Sequence, residues 1–156
     1  MISLAIPDFG DFELHHLVCD YNGTLALDGI LLSSIARRLT LMARDITIHV
    51  LTADTFGLAR PQLEGLPVQL TILSSDDQAG AKLRYVEALG AGTVIAVGNG
   101  RNDRKMLAAA ALGIALIQDE GAAVETIMNA DVVATCMQDA LDLLSNPNRL
   151  KATLRS

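Results

Sequence analysis

The sequence has no tryptophan, and aromatic residues make up only 3% of its 156 residues. A core without large rings must be built from Leu, Ile, Val and Ala, which is typical of a parallel sheet covered by helices. Hydrophobic residues reach 51% of the chain and favour a packed globule over disorder. The length predicts a single domain over residues 1–156.

Cysteine and basic residues are also scarce. Cys19 and Cys136 lie far apart in apolar settings, which favours reduced thiols in a cytoplasmic protein. The 12 basic residues face 18 acidic ones, for a formal net charge of −6, and no basic run is available to follow a nucleic-acid backbone. No segment approaches the roughly 20 apolar residues of a membrane helix, and the N-terminus does not resemble a signal peptide. We therefore expect a soluble protein without a nucleic-acid or membrane partner.

Strand-like and helix-like segments alternate about six times along the chain. This alternation predicts an α/β fold in which a doubly wound, mostly parallel sheet lies between two helical layers. The predicted strands are 2–6, 13–20, 46–51, 68–73, 93–97, 112–116 and 131–134, and the predicted helices are 30–43, 56–63, 79–89, 102–111, 121–128 and 137–144. Ligands of such sheets bind beyond the carboxyl ends of the strands, near the switch in strand order.

The first candidate site is the loop Asp20-Tyr21-Asn22-Gly23-Thr24, which directly follows a predicted strand. A carboxylate at a strand end is able to attack phosphorus, and a nearby hydroxyl is able to bind a phosphate oxygen. The alternative is a simple turn, because these residue types also favour turns.

Two further candidates supply a hydroxyl and a cation. Thr52 directly follows the predicted strand 46–51 and is suited to bind a phosphate oxygen, although Thr52 taken alone is better explained as the N-terminal cap of the next helix. Lys82 lies early in the predicted helix 79–89 and offers the point charge that a phosphate beside a carboxylate needs. The alternative for Lys82 is an ordinary solvated lysine.

The fourth candidate is the segment Gly98-Asn99-Gly100-Arg101-Asn102-Asp103, written GNGRND, after the apolar strand 93–97. Asn99 and Asp103 present oxygen ligands of the kind that Mg²⁺ prefers. The alternative is a glycine-rich turn in which Asn102 or Asp103 caps the following helix.

Taken together and in this order, the four segments DYNGT, LTAD, Lys82 and GNGRND resemble the motifs of the haloacid-dehalogenase superfamily over residues 17–144. The phosphorylation domain of P-type ATPases is especially similar. The resemblance implies that Asp20 is the nucleophile, that Thr52 and Lys82 bind the phosphoryl group, and that Thr24 and Asn102 add hydrogen bonds. It further implies that Mg²⁺ is held by Asp20, the Asn22 carbonyl and Asn99, with Asp103 close to the metal.

Two positions depart from the family pattern. Asn22 stands where the family phosphatases carry a catalytic acid, and an amide cannot transfer a proton. Asn99 stands where the family carries an aspartate that binds the metal. We therefore expect slow hydrolysis, or a preference for activated phosphates, together with weakened magnesium binding.

The short segments between the motifs leave no room for the cap domain that many family members carry. An open site is expected to accept a phosphorylated small molecule or a phosphoprotein. The segment Leu25 to Gly29 resembles the octulosonate-phosphate phosphatases, which are capless tetramers, and the mean hydropathy of +0.35 suits subunit burial. We expect a homo-oligomer, such as a tetramer. The competing hypotheses are a non-catalytic phosphate-binding or partner-binding module and a receiver-like phospho-acceptor domain.

Overall fold

The structure, a computed structural model, describes residues 1–74 and 76–156. Residue 75, in the polar segment before the predicted helix 79–89, lies outside the described residues. The strands are β1 (Ile2–Ile6), β2 (Gly10–Leu14), β3 (His16–Asp20), β4 (Ala26–Leu27), β5 (Ile30–Leu31), β6 (Thr47–Thr52), β7 (Val68–Ile72), β8 (Val94–Gly98), β9 (Leu112–Leu116) and β10 (Val132–Ala134). The α-helices are α1 (Ile35–Met42), α2 (Ala59–Leu63), α3 (Gln78–Leu89), α4 (Arg104–Ala109), α5 (Val124–Met128), α6 (Met137–Ser145) and α7 (Pro147–Leu154).

Six of these strands form one parallel sheet in the order β10-β9-β8-β3-β6-β7. The chain enters the sheet at β3, continues outward through β6 and β7, and then returns to the other side of β3 through β8, β9 and β10. The order therefore switches between β3 and β8, where a doubly wound sheet binds its ligands. Asp20 is the last residue of β3 and lies at this switch point.

Helices cover both faces of the sheet, so the predicted three-layer α/β fold is confirmed. On one face, Leu17 and Cys19 of β3 pack with Ile35 and Leu39 of α1 and with Met137 of α6. On the other face, the alternate residue of β3, Val18, packs against α3 and α4. The central strands are buried on both faces, which explains why β8 and β9 read as uninterrupted apolar runs.

Several predicted boundaries were wrong. The predicted helix 30–43 begins at Ile35, because Ile30 and Leu31 pair with β4 in a small hairpin. Asp28 and Gly29 turn this hairpin with φ angles of 50° and 80°. The predicted strand 13–20 is divided at His15, where the chain passes from an antiparallel pairing with β1 into the parallel sheet. The C-terminal helix α7 was not predicted.

Three polar side chains, His16, His49 and Tyr85, form a hydrogen-bonded row toward the amino ends of β3 and β6. His49 is only 2% exposed, and its Nε2 lies 3.1 Å from Nδ1 of His16, while its Nδ1 lies 3.0 Å from the Tyr85 hydroxyl. Burial, with a smaller contribution from His16, lowers the pKa of His49 to about 4. The folded protein therefore holds this imidazole neutral.

None of the helices in residues 1–74 and 76–156 combines the length and apolar character that crossing a bilayer requires.

The stability of the protein is expected to fall as the pH drops from about 6.5 toward 4. In that window the unfolded chain takes up a proton on His49 at its ordinary pKa, whereas the folded state resists it. Between pH 6.5 and pH 4, the free energy of unfolding of a His49→Gln variant should fall by about 1–3 kcal/mol less than that of the wild type. Urea denaturation at each pH measures this difference. The exposed His15→Gln variant is the control, and equal pH profiles for the two variants would contradict the assignment.

Candidate active site

Lys82 lies fully buried between two carboxylates at the carboxyl edge of the sheet. Its Nζ is 2.6 Å from Oδ1 of Asp20 and 2.6 Å from Oδ1 of Asp103, and none of its surface is exposed. The position follows from α3, which packs on the face of the sheet that carries Val18. The alternative of a solvated lysine is therefore wrong.

Asp103 also fixes the glycine-rich loop that follows β8. Its second carboxylate oxygen, Oδ2, accepts hydrogen bonds from the backbone N–H groups of Asn99 at 3.0 Å and Gly100 at 2.9 Å. Gly98 is required here, because a Cβ at this position would lie 2.5 Å from the Asp103 carboxylate carbon. Both oxygens of Asp103 are thus engaged by the protein itself.

Asn99 lies directly against the first loop. Its Nδ2 donates to the Gly121 carbonyl at 3.0 Å, and its Oδ1 faces the Thr24 hydroxyl at 3.4 Å. Gly23 adopts a φ of 77°, and a Cβ there would come within 2.3 Å of Asn99 Nδ2. A glycine at position 23 therefore allows the two loops to approach.

Asn22 carries an unpaired buried atom. Its Oδ1 is buried and has no hydrogen-bond partner among the residues that the structure describes. An unpaired buried polar atom costs free energy, so such atoms in folded proteins tend to face a ligand, an ion or a water molecule. This one lies in the loop that carries Asp20.

Two predicted site residues remain, Thr52 and Asn102. Thr52 lies at the end of β6, next to β3, and Asn102 lies in the glycine-rich loop after β8. Thr52 ends β6, is 2% exposed, and its Oγ1 accepts a hydrogen bond from the Asp54 backbone at 2.9 Å. It does not cap α2, because the N-terminal cap of that helix is Leu58. Asn102 donates to Oε1 of Gln78 at 2.6 Å, which ties the glycine-rich loop to the start of α3.

The electrostatics of Asp20 reflect its partners. Burial is the largest influence and raises the pKa of Asp20, the neighbouring Asp103 carboxylate raises it further, and Lys82 opposes both. The pKa of Lys82 is raised, because the attraction of the two carboxylates outweighs the effect of its burial. We conclude that Lys82 stays charged and that additional positive charge near Asp20 would favour its carboxylate form.

The donors near Asp20 suit magnesium better than a transition metal. Across residues 1–74 and 76–156, no three His, Cys, Asp or Glu side chains are grouped to hold an ion. Asp20, by contrast, keeps 11% of its side chain exposed, its own loop carries the unpaired Oδ1 of Asn22, and Asn99 Oδ1 contacts Thr24 of that loop. A carboxylate with neutral oxygen donors fits Mg²⁺, which keeps water and substrate oxygens as its other ligands.

Gln118 contacts the Asp20 loop and was not predicted from the sequence. It follows β9, and its Nε2 donates to the carbonyls of Gly23 and Thr24, both at 3.0 Å. Its Oε1 accepts from the Met137 backbone at 2.8 Å. The available signal was positional, since Gln118 is a polar residue near the carboxyl end of a buried strand, as Asp20 and Asn99 are.

Two depressions on the surface lie away from these residues. One, of about 680 Å³, is lined by His15, His16 and Arg44 near the amino ends of the strands. The other, of about 570 Å³, lies between α1 and α6. Neither depression is lined by Asp20, Lys82 or Asp103.

Comparison with solved structures supports the same fold. The chain matches a Legionella pneumophila hydrolase described as HAD superfamily, subfamily III A, with a TM-score of 0.71 and 17% identity over 90% of this chain and 87% of that one. The chain has the haloacid-dehalogenase fold. Cobalt-bound deoxy-D-mannose-octulosonate 8-phosphate phosphatase from Haemophilus influenzae shares the fold, with a TM-score of 0.71 and 15% identity over 92% of this chain and 94% of that one.

A third structure with the haloacid-dehalogenase fold is 3-deoxy-D-manno-octulosonate 8-phosphate phosphatase from Moraxella catarrhalis, solved with magnesium, phosphate and KDO. It matches with a TM-score of 0.65 and 19% identity over 91% of this chain and 94% of that one.

Sequence comparison finds an archaeal relative. The uncharacterized protein MJ0073 of Methanocaldococcus jannaschii is 51% identical over 79 residues, which cover 48% of this chain and 85% of that protein. The chain belongs to the same family as MJ0073. No protein-family model matches the chain.

Replacing Lys82 with methionine is expected to destabilise the fold by about 3–5 kcal/mol at pH 7, because two buried carboxylates lose their counter-charge. The loss should shrink as the pH falls, since protonation removes the uncompensated charges. A Lys82→Met/Asp103→Asn double variant should recover part of it. Urea denaturation measures the effect, and a loss no larger than that of the exposed Lys105→Met control would contradict it.

Proposed function

We propose that the protein is a magnesium-dependent phosphatase that forms an aspartyl-phosphate on Asp20. The observation that carries the proposal is the buried Asp20–Lys82–Asp103 arrangement at the switch point of the sheet. Burying a lysine costs free energy unless opposite charges and hydrogen bonds compensate its ammonium group. Buried groups with perturbed pKa values cluster at functional sites. The order of the four sequence motifs supports the same reaction.

Each residue then has a defined task. A carboxylate oxygen of Asp20 attacks phosphorus in line, the bond to the leaving group breaks, and the leaving group departs with the electron pair. Lys82 neutralises the transferring group, and the hydroxyls of Thr24 and Thr52 and the Asn102 amide donate hydrogen bonds to its oxygens. Asp103 holds Lys82 in place. Positioning and charge stabilisation account for most of the acceleration in such transfers.

Magnesium would be held by the Asp20 carboxylate, the Asn22 carbonyl and Asn99, with Asp103 nearby. When bound, it supplies positive charge that offsets the phosphoryl oxygens. Since Asn99 contributes a neutral oxygen and both Asp103 oxygens are already engaged, Asp20 is the main source of negative charge for the ion. We expect weak binding, with half-saturation in the millimolar range.

Asn22 limits how the aspartyl-phosphate is cleared. Its amide can neither protonate a leaving group nor deprotonate the attacking water, which removes a contribution of about 10²–10⁴-fold. The protein therefore favours acyl phosphates and phosphoanhydrides, whose leaving groups need little acid assistance. Its phospho-enzyme should persist, as the resemblance to P-type ATPase phosphorylation domains implies.

The substrate class follows from the openness of the site. The chain between β3 and β6 contains only the β4–β5 hairpin and α1, so these residues supply no cap over Asp20. Both octulosonate phosphatases named above act on a phosphorylated small molecule. We propose a phosphorylated small molecule or phosphoprotein as the substrate, in a cytoplasmic setting that suits the two free cysteines.

Apolar side chains exposed on α5, after β9 and on the edge strand β10 support a homo-oligomer. On α5, Val124 is 73% exposed and Met128 is 78% exposed, and Ile117 and Val133 are 45% exposed. Burial of such a surface between subunits would be favourable. We expect a dimer or tetramer by multi-angle light scattering, and a monomer at every concentration tested would contradict this.

The alternative function is a phosphate-binding module without turnover. The neutral Asn22 and Asn99 favour it, because each replaces a charged residue of the family pattern. Such a module would bind phosphate or a phosphorylated partner but form no covalent intermediate.

The deciding experiment is incubation with radiolabelled acetyl phosphate and magnesium. The wild-type protein should acquire acid-stable label, and Asp20→Asn should acquire none. Asn22→Asp should release the label at least about 10-fold faster, because its carboxyl restores proton transfer. This substitution removes no hydrogen bond made by Asn22 Oδ1.

The magnesium dependence of labelling gives the half-saturation concentration in the same assay, and a value far below millimolar would contradict the weak site. The contrary result is a folded, magnesium-saturated wild-type protein that neither acquires label nor releases phosphate. That result would contradict the phosphatase proposal and favour the phosphate-binding module.

A further inference from the structure

We infer that Gln118 is a positioning residue that holds the Asp20 loop in its reactive shape, an inference that rests on the proposed phosphatase function. Gln118 contacts no reacting atom. Its two amide hydrogens and its oxygen each meet a backbone group of an element beside the site.

Gln118 binds two carbonyl groups of the Asp20 loop that form no hydrogen bond within the loop. The Tyr21 carbonyl accepts hydrogen bonds from the N–H groups of Thr24, Leu25 and Ala26, and the Gly23 N–H donates to Ala26. These bonds pair the N–H groups of residues 23–26 within the loop. The carbonyls of Gly23 and Thr24 accept from Gln118 Nε2 instead. The same turn carries Asn22 and the Thr24 hydroxyl, so its shape sets their positions.

The other end of the Gln118 amide is anchored to a helix that covers the sheet. Its Oε1 accepts from the N–H of Met137, the first residue of α6. Met137 is fully buried, and α6 packs in the main core. The loop is thereby tied to a rigid part of the fold rather than to another surface loop.

The residues that follow Gln118 extend the connection to the second loop and the hairpin. Glu120 Oε1 accepts from the Asp28 backbone at 3.1 Å, and the Gly121 carbonyl accepts from Asn99 Nδ2 at 3.0 Å. The Ala123 N–H donates to the Asn99 carbonyl at 2.9 Å. Residues 118–123 therefore set the separation between the Asp20 loop and Asn99.

The geometry requires an amide at position 118 rather than a carboxylate. Nε2 supplies two hydrogens to two carbonyl oxygens, each 3.0 Å away. A glutamate oxygen in that place would face both carbonyls without a hydrogen, while the other oxygen still accepts from Met137. Gln118→Glu therefore reverses only the loop contact and keeps the size of the side chain.

The test compares Gln118→Glu with Gln69→Glu, which makes the same charge change at an exposed position of β7. Hydrogen exchange of residues 21–26 in the metal-free protein reports the loop directly. Acetyl phosphate labelling reports the reaction at saturating donor, and its magnesium dependence reports the arrangement of Asn22 and Asn99. Gln118→Leu, which is uncharged and makes no hydrogen bonds, is measured in parallel in case the glutamate variant fails to fold.

We expect faster exchange in residues 21–26, labelling slowed by about 10²-fold at saturating acetyl phosphate, and a raised magnesium half-saturation. Gln69→Glu should match the wild type in all three. A folded position-118 variant that labels at the wild-type rate with unchanged magnesium dependence would overturn the inference alone. A wild type that acquires no label would instead remove the proposed function, and the positioning inference with it.

Discussion

A lysine ammonium buried between two carboxylates organises the carboxyl edge of this sheet. Placing charges in a protein interior costs several kcal/mol each, and the cost is met only when every charge has close, hydrogen-bonded partners. Lys82 meets this condition with Asp20 and Asp103, and Asp103 in turn accepts two backbone N–H groups. Three segments distant in sequence, the end of β3, the start of α3 and the loop after β8, therefore depend on one ion cluster.

Much of this arrangement could be predicted from the sequence because parallel strands impose a simple rule. Their carboxyl ends meet at one edge, so polar residues directly after apolar runs gather there, as Asp20, Thr52 and Asn99 do. The position of Lys82 is set differently, by the packing of α3, and only the order of the motifs indicated it. No local pattern distinguishes a buried lysine from a solvated one.

Other features could not be predicted, for identifiable physical reasons. Ile30 and Leu31 carry apolar side chains that suit a helix, but the left-handed turn at Asp28 and Gly29 commits them to a hairpin. The contact of His16 with His49 depends on the register that pairs Val18 with His49, which no single strand encodes. The hydrogen bonds of Gln118 join residues about 95 positions apart and depend on the completed sheet.

The contacts of α3 have a mechanical consequence. Lys82 and Tyr85 lie three residues apart on one face of the helix. They engage two separate positions of the sheet, Asp20 at the carboxyl end of β3 and His49 within β6. These two polar contacts on the same face of α3 fix both the rotation of the helix and its position along the sheet. A residue inserted between Lys82 and Tyr85 would rotate one attachment by about 100° and release it.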